Sequence, residues 1–128
     1  MTGLKVLAID DEPDTRVLIS AILQHNGAKV MTGSDASSGF SALSDFKPDV
    51  LICDISMPGE DGYSLLRRIR KLTPEGGGKI PSIALTAFAD TQHEEEAKEA
   101  GFNAFLAKPL HTARMIEEIL HLRGQVSS

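Results

Sequence analysis

Short apolar runs recur along the chain, and each is followed by a longer stretch with helical periodicity. A strand that is followed by a helix returns parallel to its neighbour, so this alternation restricts the chain to an α/β fold with a mainly parallel sheet. The runs are residues 5–9, 29–32, 50–53, 82–85 and 104–107. The first, third and fourth are almost wholly apolar, as strands covered on both faces by helices must be. The second, Lys29-Val30-Met31-Thr32, carries the weakest strand signal.

Between the runs, Pro13 suits a first helical turn, Val17, Leu18, Ala21 and Ile22 predict an inward stripe, and Gly27 suits a left-handed stop. Ser34 is placed to cap a second helix with Phe40 and Leu43 inward. Gly62 opens a third carrying Leu65, Leu66 and Ile69, and Gly101 ends a fourth rich in Glu and Ala. A fifth spans about 112–122, with Met115, Ile116, Ile119 and Leu120 inward. The glycine-rich stretch 73–79 reads as a flexible loop, and 124–128 as a flexible tail.

A chain of 128 residues with 41% hydrophobic and 24% charged side chains has room for one domain with one core, residues 1–128. Its formal net charge of −5, with the basic residues dispersed, argues against nucleic acid as a partner. Cys53 is the only cysteine, which excludes an intrachain disulfide and fits a reducing, cytoplasmic location. No apolar run approaches the ~20 residues of a membrane span, so no membrane insertion is expected.

In an open parallel sheet, ligands bind outside the carboxyl ends of the strands. Asp10 and Asp11 follow the first strand, Asp54 the third, Thr86 the fourth, and Lys108 with Pro109 the fifth. Crowded carboxylates repel one another unless a cation neutralises them, and oxygen ligands without His or Cys select a hard ion such as Mg²⁺. A hard divalent ion beside a lysine and a hydroxyl is equipment for phosphoryl transfer to a carboxylate.

Singly, each residue has a plainer explanation. Asp10 and Asp11 would serve as helix caps, Asp54 as a turn residue, and Thr86 and Lys108 as ordinary strand residues. His93, in a Glu-rich segment without a second ligand at helical spacing, reads as solvated surface. Cys53 reads as a small core residue, since nothing basic adjoins it to activate a thiolate.

The stretches Asp10-Asp11-Glu12-Pro13, Asp54-Ile55-Ser56-Met57-Pro58-Gly59-Glu60-Asp61-Gly62, Ala84-Leu85-Thr86-Ala87 and residues 101–109 resemble response-regulator receiver domains, with wording nearest to receivers of hybrid sensor histidine kinases. The resemblance covers nearly the whole chain. It implies a flavodoxin-like (βα)5 fold with strand order 2-1-3-4-5, Asp54 as phosphoacceptor, and Mg²⁺ held by Asp10, Asp11, Asp54 and the Ser56 backbone carbonyl. It further implies that Thr86 and Lys108 contact the phosphoryl group, that the bond before Pro109 is cis, and that Ser56 and Phe88 tune phosphoryl lifetime from the pocket rim. Thr86 and Phe105 form its switch pair. The implied phosphodonor is a sensor histidine kinase or a phosphotransfer domain, and the implied recipient is a downstream protein or a kinase core in cis. Dimerisation through the fourth and fifth helices stays open, as does the choice between a free-standing regulator and a receiver within a longer protein.

Three other functions compete. A haloacid-dehalogenase-like phosphatase needs an acid two residues after its nucleophile, where this chain has Ser56. A flavodoxin-like flavin carrier needs a phosphate-cradling loop where acidic 10–12 stand. A pure interaction module would not need all the pocket side chains that are present.

Overall fold

The computed structural model describes residues 2–88 and 90–126, the last three by their backbone alone. The elements alternate as β1 (Lys5–Ile9), α1 (Pro13–His25), β2 (Lys29–Gly33), α2 (Ala36–Phe46), β3 (Val50–Asp54), α3 (Gly62–Arg70), a 3-10 turn (Pro74–Gly76), β4 (Ser82–Thr86), α4 (Thr91–Ala100), β5 (Ala104–Ala107) and α5 (Thr112–Val126). All neighbouring strands are parallel, in the order β2-β1-β3-β4-β5.

The near-continuous apolar runs are explained by two separate cores. Leu7, Ile9, Leu51 and Cys53 face α2, α3 and α4, whereas Val6, Ala8, Val50 and Ile52, one residue out of phase, face α1 and α5. β1 and β3 therefore fill both cores, and each fully buried Leu or Ile contributes on the order of 1.5–3 kcal/mol of transfer free energy.

Several helix details depart from the sequence reading. In α1 the buried residues are Ile19 and Leu23, while Val17 and Leu18 are 69% and 45% exposed. Apolar residues nearly encircle this helix, so its pattern fixes no direction; the crossover geometry selects the inward face. Asp35, not Ser34, caps α2: its side chain accepts from the Ser38 N–H while the Ser38 hydroxyl accepts from the Asp35 N–H. In α5 the inward side chains are Met115, Ile119 and Leu122, with Leu120 exposed. Residues 124–126 continue α5 where a tail was expected, because a helix anchored by Leu122 extends by one backbone bond per residue. Residues 127 and 128 of that expected tail lie outside the described residues.

The stretch 73–79 is fastened and not slack. Thr73 Oγ1 accepts from the Gly76 N–H at 3.1 Å, and the Gly78 carbonyl accepts from Arg70 at 3.1 Å. No helix among the described residues is long and apolar enough to cross a membrane.

Candidate functional site

The parallel register brings the carboxyl ends of β1, β3, β4 and β5 to one edge, with Ile9 level with Cys53 and Asp54 with Leu85. Asp54 closes β3, and Gly62 lets the start of α3 approach it. A Cβ at Gly62 would stand 2.5 Å from the Asp54 carbonyl oxygen and 2.7 Å from Ile55 Cα, so only glycine fits.

Asp10 and Asp54 are buried, at 0% and 3% exposure, and Lys108 reaches both. Its Nζ lies 2.9 Å from Asp10 Oδ2, 3.2 Å from Asp54 Oδ2 and 2.8 Å from Glu12 Oε1. The other oxygens of the buried pair are held by main chain: Ser56 N–H donates to Asp54 Oδ1 at 2.9 Å, and Glu12 N–H to Asp10 Oδ1 at 2.9 Å. The Lys108–Pro109 peptide is cis.

The charges do not balance, since Asp10, Glu12 and Asp54 share the one Lys108 ammonium while Asp11 stands outside that cluster. Burial and a side-chain hydrogen bond with Asp54 push the Asp11 carboxyl above its ordinary range. Glu12 is held below its range by the hydrogen bond and charge of Lys108. Burial pulls the Lys108 ammonium down, but the hydrogen bond to Glu12 and the close, charged carboxylates of Asp10 and Asp54 outweigh it, and the pKa ends above the usual lysine value.

This arrangement suits a cation. Carboxylate oxygens of Asp10, Glu12 and Asp54 all lie within 4.8 Å of one another, an all-oxygen set able to hold a metal ion. Asp10 Oδ2 is fully buried and has no hydrogen-bond partner; its contact with Lys108 is one of charge without hydrogen-bond alignment. A buried carboxylate oxygen left in that condition is costly unless a cation satisfies it. Glu12 escaped the sequence reading as a pocket residue. The available signal was a third acid in one run immediately before Pro13.

Thr86, Ser56 and Phe88 lie on the same edge, whereas Phe105 sits within β5, level with Ala84. Thr86 is fully buried, and its Oγ1 accepts from the Phe88 N–H at 2.9 Å. Ser56 is exposed, and Phe88 is 57% exposed just beyond β4. Phe105 is half-buried beside the α2–α3–α4 core and lines a groove of ≈ 570 Å³ with Ala97, Phe102 and Arg114. Cys53 is buried, and burial together with the Asp54 charge raises its thiol pKa far above the ordinary value, consistent with an inert core residue. His93 is partly exposed at the start of α4, with its Nδ1 2.7 Å from Asp90 Oδ1 and its ring stacked on Phe88.

A family model described as the response regulator receiver domain matches residues 6–120. An uncharacterized 14.6 kDa protein of the sodA1 3′ region of Leptolyngbya boryana is 37% identical over 116 residues, covering 91% of this chain and 87% of that protein. Hybrid signal transduction histidine kinase D of Dictyostelium discoideum is 33% identical over 127 residues, covering 94% of this chain but 8% of the kinase. The chemotaxis protein CheY4 of Vibrio cholerae has a superimposable structure, with a TM-score of 0.88, 26% identity, and coverage of 94% of this chain and 99% of that one.

Proposed function

The chain belongs to the response regulator receiver domain family, a module of two-component signalling, and on that footing we propose that it accepts a phosphoryl group from a phosphohistidine onto Asp54 with Mg²⁺ and then switches conformation. The observation that carries this reading is the Lys108 ammonium poised between the buried carboxylates of Asp54 and Asp10, the latter with an oxygen that has no hydrogen-bond partner. A carboxylate oxygen of Asp54 attacks phosphorus, the P–N bond to the donor imidazole breaks, and its electron pair stays on nitrogen. Asp10, Asp11, Asp54 and the Ser56 carbonyl would hold Mg²⁺, and Glu12 is near enough to join them. The ion, when bound, neutralises the carboxylates and the incoming phosphoryl oxygens. Lys108 takes another share of that charge, and Thr86 donates to a phosphoryl oxygen. The donor is a histidine kinase or phosphotransfer domain. With an acyl-phosphate donor, the intact chain is expected to gain one phosphoryl mass in Mg²⁺ and none after chelation. Uptake indifferent to chelator would contradict the role of the ion.

Phe88 leaves little opportunity for a water to be oriented in line with the phosphorus. Phe88→Glu is therefore expected to release phosphate faster than the parent chain in a timed assay, and unchanged or slower release would count against this role.

Phosphorylation draws the Thr86 hydroxyl away from the Phe88 backbone toward a charged acceptor. The space it vacates admits the ring of Phe105, which has no hydroxyl to anchor it outward. Aromatic NMR with a beryllofluoride phosphate mimic is expected to show a changed Phe105 environment. An unchanged ring signal, in a sample whose Asp54 region responds, would exclude this switch.

A further inference from the structure

Phe88 presents a large apolar ring to solvent, and its ring contact is with His93, at 5.6 Å between centroids and 22° between planes. An exposed phenyl ring with no fixed neighbour samples several rotamers, so what holds the neighbour decides where the ring rests.

His93 is held at both ends. Its Nδ1 lies 2.7 Å from Asp90 Oδ1, and the same oxygen accepts from the His93 N–H at 2.8 Å as the cap of α4. The Tyr63 hydroxyl of α3 donates to the His93 carbonyl at 3.3 Å. The main-chain bond from His93 and the His93 side chain both keep the Asp90 carboxyl below its usual range, so it stays ionised opposite the ring. The imidazole is thus a fixed platform on the first turn of α4.

That platform adjoins the phosphoacceptor edge. Ile55 N–H donates to the Leu85 carbonyl at 3.0 Å, and Lys108 N–H to the Thr86 carbonyl at 2.7 Å, which sets the ends of β3, β4 and β5 level. Phe88 follows directly, its N–H tied to Thr86 Oγ1.

We infer that His93, clamped by Asp90, is a positioning residue that keeps Phe88 at the mouth of the Asp54 pocket and so prolongs the acyl phosphate. The inference rests on the proposed function and adds a regulator of the same site. In the unphosphorylated chain the Thr86 hydroxyl also restrains Phe88 through its backbone. Once that hydroxyl turns to the phosphoryl group, the ring stack is the restraint that persists. With Phe88 in place, water has poor access to the line of attack in which its oxygen bonds to phosphorus, the P–O bond to Asp54 breaks, inorganic phosphate departs and the carboxylate is restored.

The test compares timed phosphate loss from the phosphorylated parent chain, His93→Ala and His93→Phe, with uptake recorded for each. His93→Ala is expected to lose phosphate faster by a factor on the order of two to ten, the range that losing one ring stack allows. His93→Phe, which keeps a ring on the first turn of α4 but loses the Nδ1 contact with Asp90, is expected to lose phosphate faster than the parent and more slowly than His93→Ala. A parent-like lifetime in His93→Ala, or a lifetime in His93→Phe as short as in His93→Ala, overturns the inference. Aromatic NMR of the phosphate-free parent supplies a reading independent of chemistry: a Phe88–His93 ring contact is expected, and its absence overturns the clamp. Failure of the parent to take up phosphate would overturn the proposed function and this extension together, whereas normal uptake with an unchanged lifetime overturns the extension alone.

Discussion

Lys108→Ala is expected to slow phosphoryl uptake by roughly 10²–10³-fold, the usual consequence of deleting one preorganised charge donor from a transfer site. The same variant should be less stable in chelator by about 2–4 kcal/mol, because buried Asp10 and Asp54 lose their shared counter-charge. Mg²⁺ should restore most of the loss, and should bind the variant more tightly than the parent, since no ammonium competes for the same oxygens. Urea unfolding with and without Mg²⁺, paired with uptake rates, reads both effects. An uptake rate within threefold of the parent, or a stability unaffected by chelator, would contradict the place given to this ammonium.

The second large effect lies at the opposite end of the sheet, where Arg70 joins four segments that carry no chemistry. Its guanidinium donates to the Gly101 carbonyl at 2.7 and 3.1 Å, to the carbonyls of Ile80 at 2.7 Å and Gly78 at 3.1 Å, and to Ser82 Oγ and Asn103 Oδ1. Burial lowers the Arg70 pKa. Arg70→Ala would leave several carbonyls short of a donor, at about 1–3 kcal/mol for each that water cannot reach. Because the site is half-buried and water repairs part of the loss, a total near ~3 kcal/mol is expected from urea unfolding. Arg70→Lys should recover only a minor part, since one ammonium cannot span the same fork. A loss below about 1 kcal/mol for the alanine variant would show that the staple is decorative.

These two residues mark where the sequence was legible and where it was not. Lys108, like Asp10, Asp54 and Thr86, stands directly after an apolar run, and a parallel sheet gathers such positions at one edge whatever the helices do. Arg70 left no comparable trace, because its main partners are backbone carbonyls, which carry no residue-type signal. Glu12 is ambiguous in sequence for another reason: an acid before Pro13 at a helix start is stabilising with or without Lys108. The inward face of α1 was unreadable because Val17, Leu18, Ile19, Ala21, Ile22 and Leu23 surround the helix, and only packing separates buried Ile19 and Leu23 from the rest. The Phe88–His93 stack joins a loop to a helix, and neither local periodicity nor residue type announces it.

The central claim is that phosphate resides on Asp54. The direct measurement is to treat the chain with an acyl-phosphate donor in Mg²⁺, trap the acyl phosphate by borohydride reduction, digest, and locate the modified residue by peptide mass spectrometry, with Asp54→Asn carried in parallel. The account predicts modification at Asp54 in the parent and no phosphoryl gain in the variant. Modification at Asp10, Asp11 or a serine instead, or equal uptake by Asp54→Asn, would contradict it.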